Sequence, residues 1–500
     1  MKADVVVVGG GGSGLASAVG AASAGARVIV LEKGAAPGGT TACSIGSISA
    51  TRTVHQKRIG LEDSPAEHYA DWQVLTRQQD PRPDNAALCQ KLVENVPETI
   101  EWLMDMGVEF FGPLEEPPHK KPRMHNILPN SGAYIFHLAR RARSLGVQII
   151  TSARAQRFVM SNGEVTGVEF DHGGKTETAT ATRGVVLASG DYAGGAEMKS
   201  EFISAAIGAT EAVNPTNTGD GLRMAMELGA KLINTDMYGG GMRFVRRAKP
   251  TWISRLPPSR WMMRPANIAL RYMPMSVVRR FIMGFLTTVL VPERKLFEEG
   301  GILVNRNGQR FANEIQRIIL ELAYQPDRMG YIIFDASVAG KFTEWPHYVS
   351  TAPGFAYAYL SDYAKNRPDL YHCAATIEQL AVSLGMDAAA LRRTVDDYNA
   401  GQTSGEIPAR GQRPQIGSGP YYALGPVKNY INYTDGGLLI NESLQVLDAK
   451  GEPIPRLYAA GSAGQGGLLL KGHGHHLGWA FTSGRIAGKT AAGLAPRAGA

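Results

Sequence analysis

The chain opens with two apolar runs that flank a stretch of small residues. The runs Asp4–Val8 and Val28–Leu31 are continuous rather than alternating, which is typical of strands buried on both faces of a sheet. Glycine and alanine dominate the residues between them, as in a helix that packs closely on its neighbours. The pattern predicts a strand–turn–helix–strand unit and an α/β fold with a parallel sheet.

Two further patterns predict local structure later in the chain. Residues 152–170 form two β-type runs around an Asn-Gly pair, which predicts a hairpin. Residues 376–400 have apolar positions spaced near 3.6 with a glycine in the middle, which predicts two consecutive helices.

The glycine-rich turn after the first apolar run contains a motif typical of nucleotide binding. Its motif is Gly9-x-Gly11-x-x-Gly14, and Glu32 ends the second run. In such units the first glycine makes the tight turn, the second lets backbone approach a pyrophosphate, and the third lets helix and strand pack closely. An acid at the end of the second strand accepts hydrogen bonds from ribose hydroxyls and repels a 2′-phosphate. The sequence therefore predicts an adenine dinucleotide site and disfavours NADP.

Composition narrows the class of protein. The 500 residues are 44% apolar and 19% charged, which predicts a globular chain of more than one domain. No apolar run reaches the length of a bilayer span. The three cysteines are odd in number and far apart, which argues against a disulfide framework. With no signal-peptide pattern at the N terminus, we expect a cytoplasmic protein.

The net charge of +7 is concentrated in one segment. Residues 241–295 contain twelve Lys or Arg and one acid, Glu293. Within 271–295 the apolar run 281–291 is too short to span lipid but long enough to lie on it, which predicts a peripheral membrane contact. A buried helix with a basic outer face is an equally good interpretation. No nucleic-acid-binding module accompanies the basic residues, so nucleic acid is not an expected partner.

Beyond Glu32 the chain resembles a known superfamily. The small-residue segments 37–41 and 44–50 are similar to the flavin loop of the FAD-dependent fumarate reductase/succinate dehydrogenase flavoproteins, a superfamily that includes 3-ketosteroid dehydrogenases. Further segments resemble its landmarks in the same order: GVVLASGDYAGG, NTGDGLRMAMELGAKL, GILVNRNGQRFANE, LYAAGSAGQGG and GRIAG. The resemblance implies an α/β fold with a Rossmann-like FAD-binding domain and an inserted α+β cap domain for the substrate. The FAD-binding domain would take residues 1–235 and 425–500, and the cap, with its basic apolar insert 241–295, residues 236–424.

The glycine motif and the resemblance together assign a set of residues to FAD. These are Gly9, Gly11, Ser13, Gly14, Glu32, Lys33, Gly39, Thr40, Thr41, Ser44, Gly46, Ser47, Ala155, Ala188, Ser189, Gly190, Asp220, Gly461, Ser462, His475, His476 and Leu477.

The catalytic positions of the superfamily's dicarboxylate reductases are poorly matched. Counting from the landmarks places Ile318 at the proton-transfer arginine, with Arg317 one residue early. Tyr433 begins the segment that replaces a histidine, and Lys471 falls at the carboxylate-clamping arginine. Lysine does not replace arginine at a bidentate site, so fumarate and succinate are disfavoured. Arg317 has a second interpretation, a solvated charge outside the catalytic site.

The segment KGHGHHLGW, residues 471–479, leaves three interpretations open. Its histidines could bind zinc, although no Cys or acid lies nearby in the sequence and we assign no metal site. It could be a structural loop. It could also face the flavin, with His475, His476 and Leu477 along the ring system and Lys471 and His473 towards the substrate. Its spacing matches the ketosteroid dehydrogenases, in which the glycine that polarises the substrate ketone falls on Gly474.

The resemblance therefore implies an FAD-dependent oxidoreductase that acts on a C–C bond next to a carbonyl and exchanges hydride with flavin N5. The expected substrate is a hydrophobic cyclic ketone of steroid-like type, and the electron acceptor is not specified. The expected catalytic residues are Lys471, His473, Gly474, Tyr433 and Arg317. Two alternatives stay open: a fumarate- or urocanate-type carboxylate ene-reductase with Lys471 and Arg317 as anchors, and a flavin-binding assembly or sensor protein without turnover.

Overall fold

The computed structural model describes residues 1–245, 256–273, 291–315, 318–352, 356–403 and 407–497, with the single positions 277, 283, 284 and 287. Arg317 and most of the segment 271–295 lie outside the described residues, and so do the sequence predictions that fall on them. Among the described helices, none combines the length and hydropathy that crossing a bilayer requires.

The described elements include both strands and helices along the whole chain. The strands are β1 Lys2–Val8, β2 Val28–Leu31, β3 Ser47–Ser49, β4 Glu109–Leu114, β5 Met124–Leu128, β6 Gln148–Ile150, β7 Ala153–Ser161, β8 Glu164–His172, β9 Lys175–Leu187, β10 Leu232–Ile233, β11 Tyr238–Phe244, β12 Ile302–Val304, β13 Met329–Phe334, β14 Ser350–Ala352, β15 Ala356–Ala358, β16 Tyr371–Ala374, β17 Tyr421–Thr434, β18 Gly437–Leu438, β19 Gln445–Leu447 and β20 Pro453–Ala459. The α-helices are α1 Gly12–Ser23, α2 Gly39–Cys43, α3 Val54–Arg58, α4 Pro65–Gln79, α5 Ala86–Asp105, α6 Gly132–Ser144, α7 Ala196–Phe202, α8 Ala205–Ala209, α9 Asp220–Glu227, α10 Arg260–Tyr272, α11 Lys295–Glu298, α12 Ile318–Ala323, α13 Ala336–Lys341, α14 Leu360–Asn366, α15 Ile377–Leu384, α16 Ala388–Asn399 and α17 His475–Ala492.

The largest sheet is built around β1, as the opening pattern predicts. Its strand order is β19-β20-β9-β1-β2-β6, and β1 pairs in parallel with both β2 and β9. Helices α1 and α17 lie against each other beside this sheet. A Cβ on Gly488 would lie 2.0 Å from Ser17 O, and one on Gly484 would lie 2.4 Å from Ser13 O. The two helices approach this closely only because glycine stands at both positions, which brings the N-terminal and C-terminal segments into one layer.

Both local predictions are confirmed. Strands β7 and β8 form an antiparallel hairpin, and Asn162 and Gly163 in its turn have φ of 51° and 76°. Positive φ at both turn residues is the conformation that the Asn-Gly pair favours. Helices α15 and α16 are separated by Gly385, whose φ of 67° ends α15 in the left-handed region.

A second sheet has the order β11-β17-β13-β12, with β16 also paired to β17. It is covered by its own buried cluster, which includes Phe244, Phe334 and Leu424. Strand β17 begins at Tyr421, so the expected domain boundary between residues 424 and 425 falls inside a strand of this second sheet. The division of the chain into domains stays a prediction.

Candidate active site

A continuous cavity runs from the glycine turn after β1 to the start of α17. Most residues predicted for FAD lie on its wall: Gly9, Gly11, Ser13, Glu32, Lys33, Gly39, Thr40, Thr41, Ser44, Gly46, Ser47, Ala155, Ala188, Ser189, Gly190, Asp220, Ser462, His476 and Leu477. Of the predicted catalytic residues, His473, Gly474 and Tyr433 also line it.

The glycine turn has the geometry that a dinucleotide needs. Gly9 has φ of 105°, and a Cβ there would lie 2.4 Å from Ala188 O, so no other residue fits the turn. Glu32 accepts hydrogen bonds from Gly10 N–H at 2.7 Å and Gly34 N–H at 2.6 Å, which fix its carboxylate beside the turn. Lys33 Nζ lies 3.0 Å from Asp220 Oδ2 and closes the same end of the cavity.

These surroundings fit FAD. A Cβ on Gly39 would lie 3.1 Å from Gly11 Cα, so two stretches of bare backbone meet where a diphosphate would lie. Ser189 Oγ and His476 Nε2 line the cavity, are buried, and have no hydrogen-bond partner among the described residues. Because buried polar atoms are almost always hydrogen-bonded, two such atoms on one wall indicate a bound group with polar edges. Burial lowers the pKa of His476 to about 4, so its imidazole is neutral near pH 7.

Two predicted FAD residues lie behind the wall instead. A Cβ on Gly14 would lie 1.8 Å from Gly9 O, and one on Gly461 would lie 2.7 Å from Ser13 Oγ. Both glycines let neighbouring elements approach each other closely. They shape the cavity without lining it.

The imidazole of His475 does not lie along the cavity, contrary to the prediction. It stacks on Trp72 with ring centroids 4.4 Å apart and is fully buried. Its Nε2 lies 3.1 Å from Nε2 of His68, and its Nδ1 lies 2.7 Å from Lys471 O. The preceding Gly474, with φ of 92°, reverses the chain where α17 begins, and this turns residue 475 into the core. Burial holds the pKa of both histidines well below the usual value.

Lys471 is also turned away from the position expected for it. Its Nζ lies 3.0 Å from Asp435 Oδ2, and the side chain is only 10% exposed. Asp435 is fully buried and also accepts a hydrogen bond from Gln465 Nε2 at 2.9 Å. The lysine charge is therefore matched inside the protein, and Lys471 is absent from the described cavity wall.

His473, Gly474 and Tyr433 form the part of the wall with acid–base and hydrogen-bonding chemistry. His473 Nδ1 lies 2.6 Å from Glu116 Oε1, and this hydrogen bond raises the pKa of the imidazole. A Cβ on Gly474 would lie 2.4 Å from Ser49 N, so the loop backbone is pressed against β3. The Tyr433 ring lies 4.1 Å from the His476 ring, and burial raises the pKa of the phenol.

Three residues of the site were missed by the sequence prediction. Arg243 and Asn432 line the cavity, and Glu116 holds His473. Arg243 lies within the basic segment 241–295, so its charge could have indicated a place in the site. Nothing in the sequence indicates Glu116, because it is 357 residues from His473 and belongs to no motif.

Comparison with known proteins identifies the family. A family model described as FAD binding domain matches residues 4–239 and 269–469. The chain belongs to this family. It is 30% identical to the urocanate reductase of Eggerthella lenta, over 98% of this chain and 75% of that protein. It is 26% identical to the NADH:fumarate oxidoreductase of Klebsiella pneumoniae over 92% of this chain, but spans only 44% of that protein.

Two solved structures of flavoproteins are similar to this chain in fold and in sequence. The open conformation of a flavocytochrome c3 fumarate reductase has a TM-score of 0.74 and 25% identity, covering 98% of this chain and 78% of that one. The 3-ketosteroid-Δ4-(5α)-dehydrogenase of Rhodococcus jostii RHA1 has a TM-score of 0.60 and 26% identity, covering 98% and 97%. The predicted superfamily, the α/β fold class with FAD as cofactor, and the class of FAD-dependent oxidoreductases are thereby confirmed.

Proposed function

We propose that the protein is an FAD-dependent dehydrogenase or ene-reductase that acts on the C–C bond next to the carbonyl of a hydrophobic cyclic ketone. One observation carries the proposal. A titratable imidazole, a backbone segment at a helix start and a phenol share the wall of the cavity whose other end is a glycine cradle for FAD. These residues are His473, Gly474 and Tyr433.

The chain's own residues supply the proton and the charge stabilisation. FAD, when bound, would supply the hydride chemistry at the substrate carbon β to the carbonyl. His473, protonated more readily because Glu116 accepts its Nδ1–H, gives a proton to the α carbon in reduction or takes one in oxidation. The backbone N–H groups at the start of α17, beginning at Gly474, stabilise negative charge on the carbonyl oxygen. One hydride and one proton account for both hydrogens that change place.

The internal pairing of Lys471 with Asp435 supports a ketone over a dicarboxylate. A lysine whose charge is matched by a buried carboxylate 3.0 Å away is a poor anchor for a second carboxylate. Apolar side chains also line the cavity, among them Ile45, Val213 and Leu477. The ketosteroid dehydrogenase from Rhodococcus jostii RHA1 was solved with 4-androstene-3,17-dione, a ketone of the proposed type.

A carboxylate-directed ene-reductase is the second candidate. It is favoured by Arg243, which lies on β11 and lines the cavity. A guanidinium can hold a carboxylate through two parallel hydrogen bonds, as a urocanate- or fumarate-type substrate would require.

Anaerobic half-reactions distinguish the two candidates. The FAD-loaded protein is mixed with steroid and cyclohexanone-type ketones or with dicarboxylates, and the flavin absorbance is followed in both directions. Flavin turnover with ketones that survives Arg243→Gln supports the proposal, whereas turnover with acids alone, abolished in Arg243→Gln, establishes the second candidate. His473→Gln is expected to slow the ketone reaction about 10²–10⁴-fold, the range typical of a lost general acid. His172→Gln, on the hairpin β7–β8 with a 41% exposed side chain, is the matched control.

A further inference from the structure

Helix α10 is fixed on the protein along one face. Met263 is 3% exposed, and Asn267 Nδ2 donates a hydrogen bond to Phe110 O at 2.9 Å. Just before the helix, Pro258 O lies 2.7 Å from His137 Nε2. These contacts hold α10 against β4 and α6 as a defined surface feature.

The opposite face of α10 is apolar and exposed. Trp261 is 91% exposed, Ile268 59% and Tyr272 83%. With Pro265 these positions have the spacing i, i+4, i+7 and i+11, which places them in one stripe spanning about 60° of the helix circumference. Met262 and Met273, 43% and 40% exposed, extend the surface. Large apolar side chains grouped in this way mark a surface that meets an apolar partner.

Arginines form a flank between the buried face and the exposed stripe. Arg260 and Arg264, 49% and 57% exposed, lie one turn apart, and their Nε atoms are 3.7 Å and 3.2 Å from the same Glu109 Oε1. One carboxylate facing two guanidiniums leaves this edge positive. The sequence from 260 to 273 contains no acid. The apolar stripe is therefore bordered by cations.

We propose that α10 lies in the surface of a bilayer that contains anionic phospholipid. Trp261, Ile268 and Tyr272 would enter the boundary between headgroups and acyl chains, where tryptophan and tyrosine are enriched. Arg260 and Arg264 would contact lipid phosphates. Two arginines along one side and aromatic rings at both ends of the stripe fit a lipid interface better than a protein groove. Helix α10 shares only its last two residues with the segment 271–295, for which the sequence predicted a peripheral membrane contact or a buried helix.

Vesicle sedimentation of the full-length, FAD-loaded protein tests this assignment. We expect the wild type to sediment with vesicles of phosphatidylcholine and phosphatidylglycerol, more weakly with phosphatidylcholine alone, and less as salt is raised. The triple variant Trp261→Ser, Ile268→Ser, Tyr272→Ser should lose about hundredfold in partitioning, because three large side chains no longer bury apolar surface. Arg260→Gln with Arg264→Gln should remove the preference for anionic vesicles.

Trp345→Ser is the matched control, because Trp345 is 62% exposed but lies outside α10, and it should bind like the wild type. Retained flavin absorbance shows that each variant is folded. Failure of the wild type to sediment with either vesicle at low salt overturns the proposal, and so does equal binding by the triple variant or by neutral vesicles. A wild type that dimerises without lipid, through a surface that the triple variant loses, would assign the stripe to a second copy of the chain and also overturn it.

Discussion

Glu116 Oε1 accepts two hydrogen bonds from His473, one from the backbone N–H and one from ring Nδ1, each at 2.6 Å. Glu116 is buried at the beginning of the loop that joins β4 to β5. The two hydrogen bonds to the Glu116 carboxylate fix the orientation of the His473 ring and favour its protonated form. In the proposed reaction the proton that exchanges is then the one on Nε2 of His473, and the pKa of the ring depends on Glu116, which does not itself line the cavity.

Replacing Glu116 should therefore change the pH dependence of the reaction. The hydrogen bond to Glu116 raises the pKa of His473, so Glu116→Gln should lower that pKa again. If His473 is the acid in reduction, activity is lost as pH rises through its pKa, and the basic limb of the kcat/KM profile should move to lower pH. Stopped-flow measurement of reduced-flavin reoxidation by an α,β-unsaturated ketone across pH 5–9 checks this shift.

The neighbouring Glu115 provides the control for this experiment. Glu115 is exposed and one residue away, so Glu115→Gln removes the same charge from the loop without touching His473. An unchanged profile in Glu116→Gln, or equal shifts in both variants, would contradict the role given to Glu116.

Gly474→Ala should damage the site through the backbone. A Cβ at this position would lie 2.4 Å from Ser49 N, and the φ of 92° is strained for alanine. We expect the helix start to shift and ketone turnover to fall about hundredfold, the typical loss when an oxyanion donor is removed. Gly451→Ala is the control for backbone strain alone. Gly451 also has a positive φ, of 86°, but a Cβ there would have no atom within 4 Å and would displace no neighbour. Equal melting temperatures and rates in the two variants would refute the argument.

The features that the sequence predicted correctly lie within one contiguous segment. Those that it missed depend on contacts between segments that are far apart in the sequence. The glycine turn and Glu32 lie in one strand–turn–helix–strand unit, so their spacing alone specifies their geometry. The contact between Glu116 and His473 joins segments 357 residues apart that carry no shared pattern.

The side-chain direction of His475 was predicted wrongly for a different reason. Consecutive helix positions differ by about 100° in direction, so the face it presents depends on the residue at which α17 begins.

Asp435→Asn should destabilise the protein strongly. It leaves the Lys471 amino group buried without the carboxylate now 3.0 Å away, and breaking such a pair typically costs about 3–5 kcal/mol. Adding Lys471→Met should restore much of the loss, because the uncompensated charge is then gone. The melting temperatures of the two variants measure this. Glu169→Gln, which breaks the exposed pair with Arg157, is the control and should change the melting temperature little. A stable Asp435→Asn variant would show that Lys471 is not held by this carboxylate.

The histidines behind the site should make the fold sensitive to mild acid. Burial holds the pKa of His68 and His475 well below 6.5 in the folded protein, and the nearby charge of Arg123 lowers that of His68 further. An unfolded chain binds protons at these residues as pH falls below about 6.5, whereas the folded chain does not. Their contribution to stability is therefore fully present above that pH and lost progressively below it, by about 1.4 kcal/mol per pH unit for each group.

Unfolding by urea at pH 7.5, 6.5, 5.5 and 5.0 measures this loss. His475→Gln should be less stable than the wild type at pH 7.5, because the stacking on Trp72 and the hydrogen bond to His68 are lost. Below pH 6.5 its stability should fall less steeply than that of the wild type, since the variant lacks one of the two histidines with a lowered pKa. His172→Gln serves again as the exposed control and should keep the wild-type slope. Identical slopes in wild type and His475→Gln would mean that the imidazole is not held neutral in the core, and that the path from Gly474 into α17 does not bury it.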